Sequence, residues 1–265
     1  MSGLNSHFVS RFLTTPWEHG QRRLSYFDFE AGCFGSQSSE TLFALRGTNT
    51  QEVEERLNSV IETPVSQAMA RLTDSQPDSE ELLEWPLFRA ASLRLMLQPT
   101  RAAEGSEHSE RLETTVMRSD PELDELAKQA QALYQLGRIT IRTDVPLLYP
   151  AAGFFPLVAK GASGSYEAAI ALPVARRHVF VAVPRSLDWE SATAQWSVNG
   201  AAPVANASVG TSNRVVVPLA AINGVGPEKA IEFIRELRAA NSQLIGLALE
   251  FNGAIVRLNA ECGLS

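Results

Sequence analysis

DPELDELAKQAQALYQLGRITIRT, residues 120–143, changes its hydrophobic period part-way along. Leu123, Leu126, Ala130 and Leu133 recur at helical spacing and give one buried stripe. Asp120 is positioned to cap this helix, Pro121 suits its first position, and Glu122, Asp124 and Glu125 complement the positive end of the helix dipole. Gly137 is expected to close it, and Arg138–Thr143 then reads as a strand. The helix thus hands over to a strand across a short connection. Three more strand candidates come in close order, at Phe154–Ala159, Tyr166–Leu172 and His178–Val183.

Outward from this stretch, the second half stays strand-rich. NRVVVPL at 213–219 reads as a further strand, and a long helix is expected from about Pro227 to Phe251, with Ile231, Ile234, Leu237, Leu244, Ile245 and Leu249 apolar. Residues 185–212 are small, polar and punctuated by glycine or proline, with Trp189 and Trp196 embedded. Upstream, RRLSYFDF at 22–29 reads as a strand, followed by a turn at Gly32 and an extended piece through Leu42–Leu45. Thr48 or Asn49 caps a helix running to about Glu62, with Val53, Leu57, Val60 and Ile61 on one face. Pro64 opens a second helix carrying Val65, Met69 and Leu72. SQPDSEEL at 75–82 reads as a loop and cap before a helix through about Leu97, which Pro86 kinks or breaks early. Helices gather in the first half and strands in the second, with one late helix packed on the sheet. That order predicts an α+β fold with a mainly antiparallel sheet, in a single domain over 1–265. Residues 98–118 are polar without a strong period and are expected to form a mobile loop, a place for a lid or a partner contact.

Composition narrows the function classes. Of 265 residues, 45% are apolar, enough for a sizeable core, and no window approaches a membrane span. The start, MSGLNSHFVSRFL, lacks the charge, apolar run and cleavage site of a secretory signal, so a cytoplasmic location is expected. Cys33 and Cys262 stand far apart, outside any Cys-x-x-Cys pair, and read as free thiols of a reducing compartment rather than zinc ligands. A net charge of −7 weighs against broad nucleic-acid or anionic-membrane binding. A protein partner is compatible with that acidic surface.

No Gly-x-Ser-x-Gly, Walker loop, His-Glu-x-x-His or paired-carboxylate signature is present. GVGPEK at 224–229 resembles the hairpin turn of helix-hairpin-helix modules, but RVVVPLAA before it reads as a strand and Glu228, Glu232 and Glu236 follow, so a tight strand-to-helix turn is the simpler reading. The four tryptophans, Trp17, Trp85, Trp189 and Trp196, are scattered without basic interleaving and read as core or surface plugs. Of the histidines, His19 and His108 read as loop residues and His178 as packed in apolar surroundings. His7 differs, because helical and extended readings alike set it beside Arg11, an arrangement that favours an anionic ligand. In RTDVPLLYP, Asp144 ends a strand before Pro146; such a carboxylate serves as a metal ligand or base, or simply caps its own loop.

Several of these pieces, taken in order, resemble one bacterial family. NSHFVSRFL at 5–13, EVEERLNSVIETPVSQAMARL at 52–72, RTDVPLLYP at 142–150, AIALPVARRHVFVAV at 169–183 and RAANSQLIGLA at 238–248 are similar to domain-of-unknown-function family 4238. That family has an early histidine, a glutamate at a helix end, Ser-Asp-x-Pro before a strand, and an asparagine in a late helix. The matching positions are His7, Glu62, Asp144 with Pro146, and Asn241; Ser10 stands where the family favours proline and Thr143 where it favours serine. The resemblance brings no mechanism, but it implies that His7, Arg11, Glu62, Asp144 and Asn241 meet in one polar cluster. Such a cluster is either a buried hydrogen-bonded network or a site. If it is catalytic, hydrolysis of a phosphate-containing or nucleic-acid substrate is expected. His7 would be acid or base, Glu62 and Asp144 base or metal ligands, and Arg11 and Asn241 ligand-binding groups. No particular metal or cofactor is implied. The alternative is a non-catalytic interaction component, for example in stress or phage defence.

Overall fold

The computed structural model describes residues 5–7, 10–46, 49–70, 81–97, 113–140, 148–150, 153, 155–164, 166–198 and 214–216, with 228 and 232. The fold is α+β, and every strand pairing among these residues is antiparallel.

Three sheets are formed among the described residues. A five-stranded sheet runs β5 (Glu81–Leu82), β6 (Tyr134–Thr140), β10 (His178–Pro184), β9 (Tyr166–Pro173), β8 (Phe155–Lys160). A four-stranded sheet runs β3 (Cys33–Ser38), β2 (Arg23–Asp28), β11 (Arg214–Val216), β7 (Tyr149–Pro150), and β1 (Asn5–His7) pairs with β4 (Ala44–Arg46). β10 is the centre of the larger sheet. Successive side chains point to opposite faces, yet His178–Val183 are all buried, so both faces of the sheet are covered there. Its histidine is structural: Nδ1 of His178 lies 3.0 Å from Thr140 Oγ1 on the neighbouring strand.

The helical side consists of α1 (Arg11–Thr14), α2 (Gln51–Leu57), α3 (Thr63–Met69), α4 (Trp85–Leu97), α5 (Asp120–Leu133) and α6 (Trp189–Val198). α4 is the keystone. Phe88, Ala91 and Leu95 join the core under the five-stranded sheet, whereas Leu93 and Met96 join a second core with Val53, Val60, Ile61, Leu123 and Leu126. A helix pinned between two apolar layers loses its polar face, and every residue from Ala90 to Met96 is buried, including Arg94.

Several local expectations are corrected. The helix at 120 is capped by Ser119, one residue earlier than expected: the Glu122 carboxylate accepts from the Ser119 N–H at 2.9 Å and from its hydroxyl at 2.7 Å. Asp120 is thereby released to bind Arg56 at 2.7 Å and Arg89 at 3.3 Å. Gly137 does not close this helix. The chain turns extended at Tyr134, whose N–H caps the Ala130 carbonyl, and Gly137 lies within β6 between Val181 and Leu82. The helix before Leu97 begins at Trp85, so Pro86 falls in its first turn and breaks nothing.

Two features lay unread in the sequence. Within residues 185–212, Trp189–Val198 form α6, opened by the Asp188 carboxylate accepting the Ser191 N–H at 2.8 Å. Of the expected mobile loop, residues 98–112 lie outside the described residues. Its end, 113–118, is ordered: 113–116 is helical, Val116 is buried, and Arg56 donates to the Val116 and Arg118 carbonyls. The late helix lies outside the described residues except Glu228 and Glu232, which are helical and exposed.

Candidate functional site

Glu62 owes its position to Pro64. Proline has no N–H to give the Val60 carbonyl, and its ring crowds that carbonyl. The chain does not stop there and restart, as expected from its sequence. Asn58–Glu62 widen into a π turn that links α2 directly to α3, with the Thr63 N–H reaching back to Asn58, five residues away. Single π turns recur at functional sites because they rotate side chains out of the regular helical register. Val60 and Ile61 stay in the helical core, and Glu62 is set on a half-buried side of the turn.

There the Glu62 carboxylate accepts a hydrogen bond from the hydroxyl of Ser10, which is buried just ahead of α1. Arg94, 3% exposed, lies within electrostatic range of that carboxylate. Burial holds the Arg94 guanidinium below its ordinary pKa, opposed by the facing Tyr149 and Glu62. Arginine nevertheless keeps its proton in proteins, so this is a buried cation. Its Nε and Nη2 have no hydrogen-bond partner among the described residues. Tyr149 itself packs among aromatic rings: Trp17 meets it edge-on with centroids 5.2 Å apart, and the Phe43 ring centroid lies 6.4 Å from it. Tyr149 is fully buried at the end of the segment that carries Asp144 in the sequence.

Of the residues expected to meet, Glu62 is the one whose side chain stands in this arrangement. His7 is in β1, its backbone opposite Ala44, but its side chain lies outside the described residues. Asp144 and Asn241 also lie outside them. Arg11 forms an ion pair with Glu40 at 3.5 Å, shared with Arg22, and its side chain is 37% exposed. Sequence reasoning singled out neither Arg94 nor Tyr149. Arg94 sits in an otherwise apolar run, LRLML at 93–97, and a charge inside such a run was the available signal.

Other features offer less chemistry. An apolar cavity of about 20 Å³, between Phe88, Leu95, Met96, Tyr134 and Ile170, has room for roughly one water and almost no polar lining. Among the described residues no three His, Cys, Asp or Glu side chains gather as a metal-binding group, and no helix is long and apolar enough to cross a membrane. Cys33 is free and exposed at the edge of β3. No family model, curated protein or solved structure matches this chain.

Proposed function

We propose that this chain is a hydrolase acting on a phosphate-containing or nucleic-acid substrate, with Glu62 as the base of its site. One observation supports the reading above others: the Glu62 carboxylate on the π turn accepts from a buried serine hydroxyl and lies within electrostatic range of the buried Arg94 guanidinium. A carboxylate held this way can take a proton from water or an alcohol, while the neighbouring cation attracts the negative group being cleaved. His7 and Asp144 keep their proposed roles as proton carrier and as base or metal ligand, and Asn241 as a ligand-binding residue. The clamp role expected of Arg11 is not carried forward, because its guanidinium is taken by Glu40 at a partly exposed position.

The same reading includes membership of family 4238, and with it a bacterial, cytoplasmic setting. Its support is the order in which His7, Glu62, Asp144 with Pro146, and Asn241 succeed one another along the chain.

The test is an assay of the purified chain on p-nitrophenyl phosphate, bis(p-nitrophenyl) phosphate and short single-stranded oligonucleotides, with and without magnesium, manganese or zinc. Turnover is expected in the wild type and a fall of about 100-fold or more in Glu62→Gln, with circular dichroism unchanged. Asp144→Asn is expected to behave alike. Full activity in Glu62→Gln would remove that residue from the mechanism. No turnover by the wild type, together with a protein that co-purifies in fixed ratio, would turn the reading towards a non-catalytic interaction component.

A further inference from the structure

The unpartnered nitrogens of Arg94, Nε and Nη2, are adjacent on one edge of the guanidinium. That edge offers two parallel N–H donors, the fork that matches two oxygens of a carboxylate or phosphate. Both donors are out of contact with solvent. A cation stripped of water and left without an acceptor is costly, and proteins meet that cost with a counter-charge or a ligand. The near anion does not meet this need, because Glu62 is bound to Ser10 and accepts nothing from these two nitrogens. Nor is the cation swung out to solvent, since α4 is covered by apolar layers on both sides and Arg94 is 3% exposed.

We infer that the Nε–Nη2 edge of Arg94 binds a small oxyanion side-on, the phosphoryl group or carboxylate of a ligand seated between α4, the π turn and Tyr149. This deepens the hydrolase reading and rests on it for the statement that the bound group is part of a substrate. Glu62 then flanks the anion instead of coordinating it. Like charges at close range oppose each other, so removing the Glu62 charge strengthens anion binding even where it abolishes turnover.

The experiment is calorimetric titration and thermal unfolding of the full chain with inorganic phosphate, and separately with acetate, in a chloride buffer of constant ionic strength. The wild type is expected to unfold at a temperature that climbs with ligand concentration, as it must when ligand binds only the folded state. Arg94→Lys keeps the charge and loses the fork, and its affinity is expected to fall about tenfold or more. Glu62→Gln is expected to bind several-fold more tightly. A response to acetate in place of phosphate supports the site and assigns the carboxylate as its ligand class. No concentration-dependent rise with either anion overturns the inference, as does a rise that Arg94→Lys leaves intact. Should Arg94→Lys not fold, the decision passes to Glu62→Gln, where unchanged or weaker affinity overturns it. Phosphate binding through Arg94 without hydrolysis of any substrate would retain the site and discard the hydrolase reading. Hydrolysis that depends on Glu62, with no anion bound at Arg94, would do the opposite.

Discussion

At position 35 a side chain has nowhere to go. Gly35 faces Tyr26 across the β2–β3 ladder, and a Cβ built there would lie 2.4 Å from the tyrosine ring. The ring therefore covers the glycine, supplying the cross-strand contact that the missing side chain cannot. Gly35→Ala is expected to push the ring aside and lower stability by about 1–3 kcal/mol in chemical denaturation. Tyr26→Leu in the same background is expected to recover part of that loss, because the two positions are in contact and their effects are not additive. Equal losses with and without tyrosine would show that the ring is not the cause. Arg94 makes the complementary case, an ion where the apolar pattern calls for a leucine. Nothing in its local sequence tells whether such a residue faces solvent or lies at the centre of two cores.

Among the elements, the helix interrupted by Pro64 carries the most functional weight. The sequence predicts a stop at Glu62 and a restart at Pro64, whereas the chain continues through a π turn, because one widened turn costs less than ending a helix whose face is already packed by Val53, Val60, Ile61 and Val65. Pro64→Ala restores the missing N–H and is expected to let this segment tighten into a regular α-helix. Stability should then rise by up to about 3 kcal/mol, the usual cost of an interior proline. Glu62 would rotate away from Ser10, and turnover should fall. A raised thermal midpoint with function intact would show that the site does not need the wide turn. α6 illustrates the opposite failure, in which a real helix went unread. Its small residues Ala192 and Thr193 give a weak apolar period, and it is fixed by burial of Trp196 and by the cap at Asp188.

Across the molecule, Arg56 joins parts of the chain that lie about sixty residues apart. It donates to the Val116 and Arg118 carbonyls at 3.2 and 3.0 Å and to the Asp120 carboxylate at 2.7 Å, while Arg89 adds a second contact to the same carboxylate. Its hydrogen bond to Arg56, then the charges of Arg56 and Arg89, hold the Asp120 carboxyl below its usual range. A carboxyl whose folded value is depressed adds stability above its unfolded value and loses it as pH falls through the folded one. Acid titration of the unfolding free energy should therefore slope downwards below the ordinary aspartate range. Asp120→Asn should flatten part of that slope, by a modest amount because the pair is solvent-exposed. An identical slope in the variant would place the acid sensitivity elsewhere.

Local structure is what the order of residues dictates unaided. The helix at 120–133 follows from its period of 3.6, and the strands at 166–173 and 178–184 are legible as short apolar runs bounded by turn residues, which together give the α+β class. The antiparallel order of short strands is also legible, because brief connections leave few other pairings. Which polar residues meet is a matter of three-dimensional packing. Ser10 and Glu62 are 52 positions apart, and Arg94 faces Glu62 because α4 is clamped between two cores. Periodicity states which side of an element a residue occupies. The distance between two elements comes from the packing of their apolar faces, and no spacing along the chain encodes it.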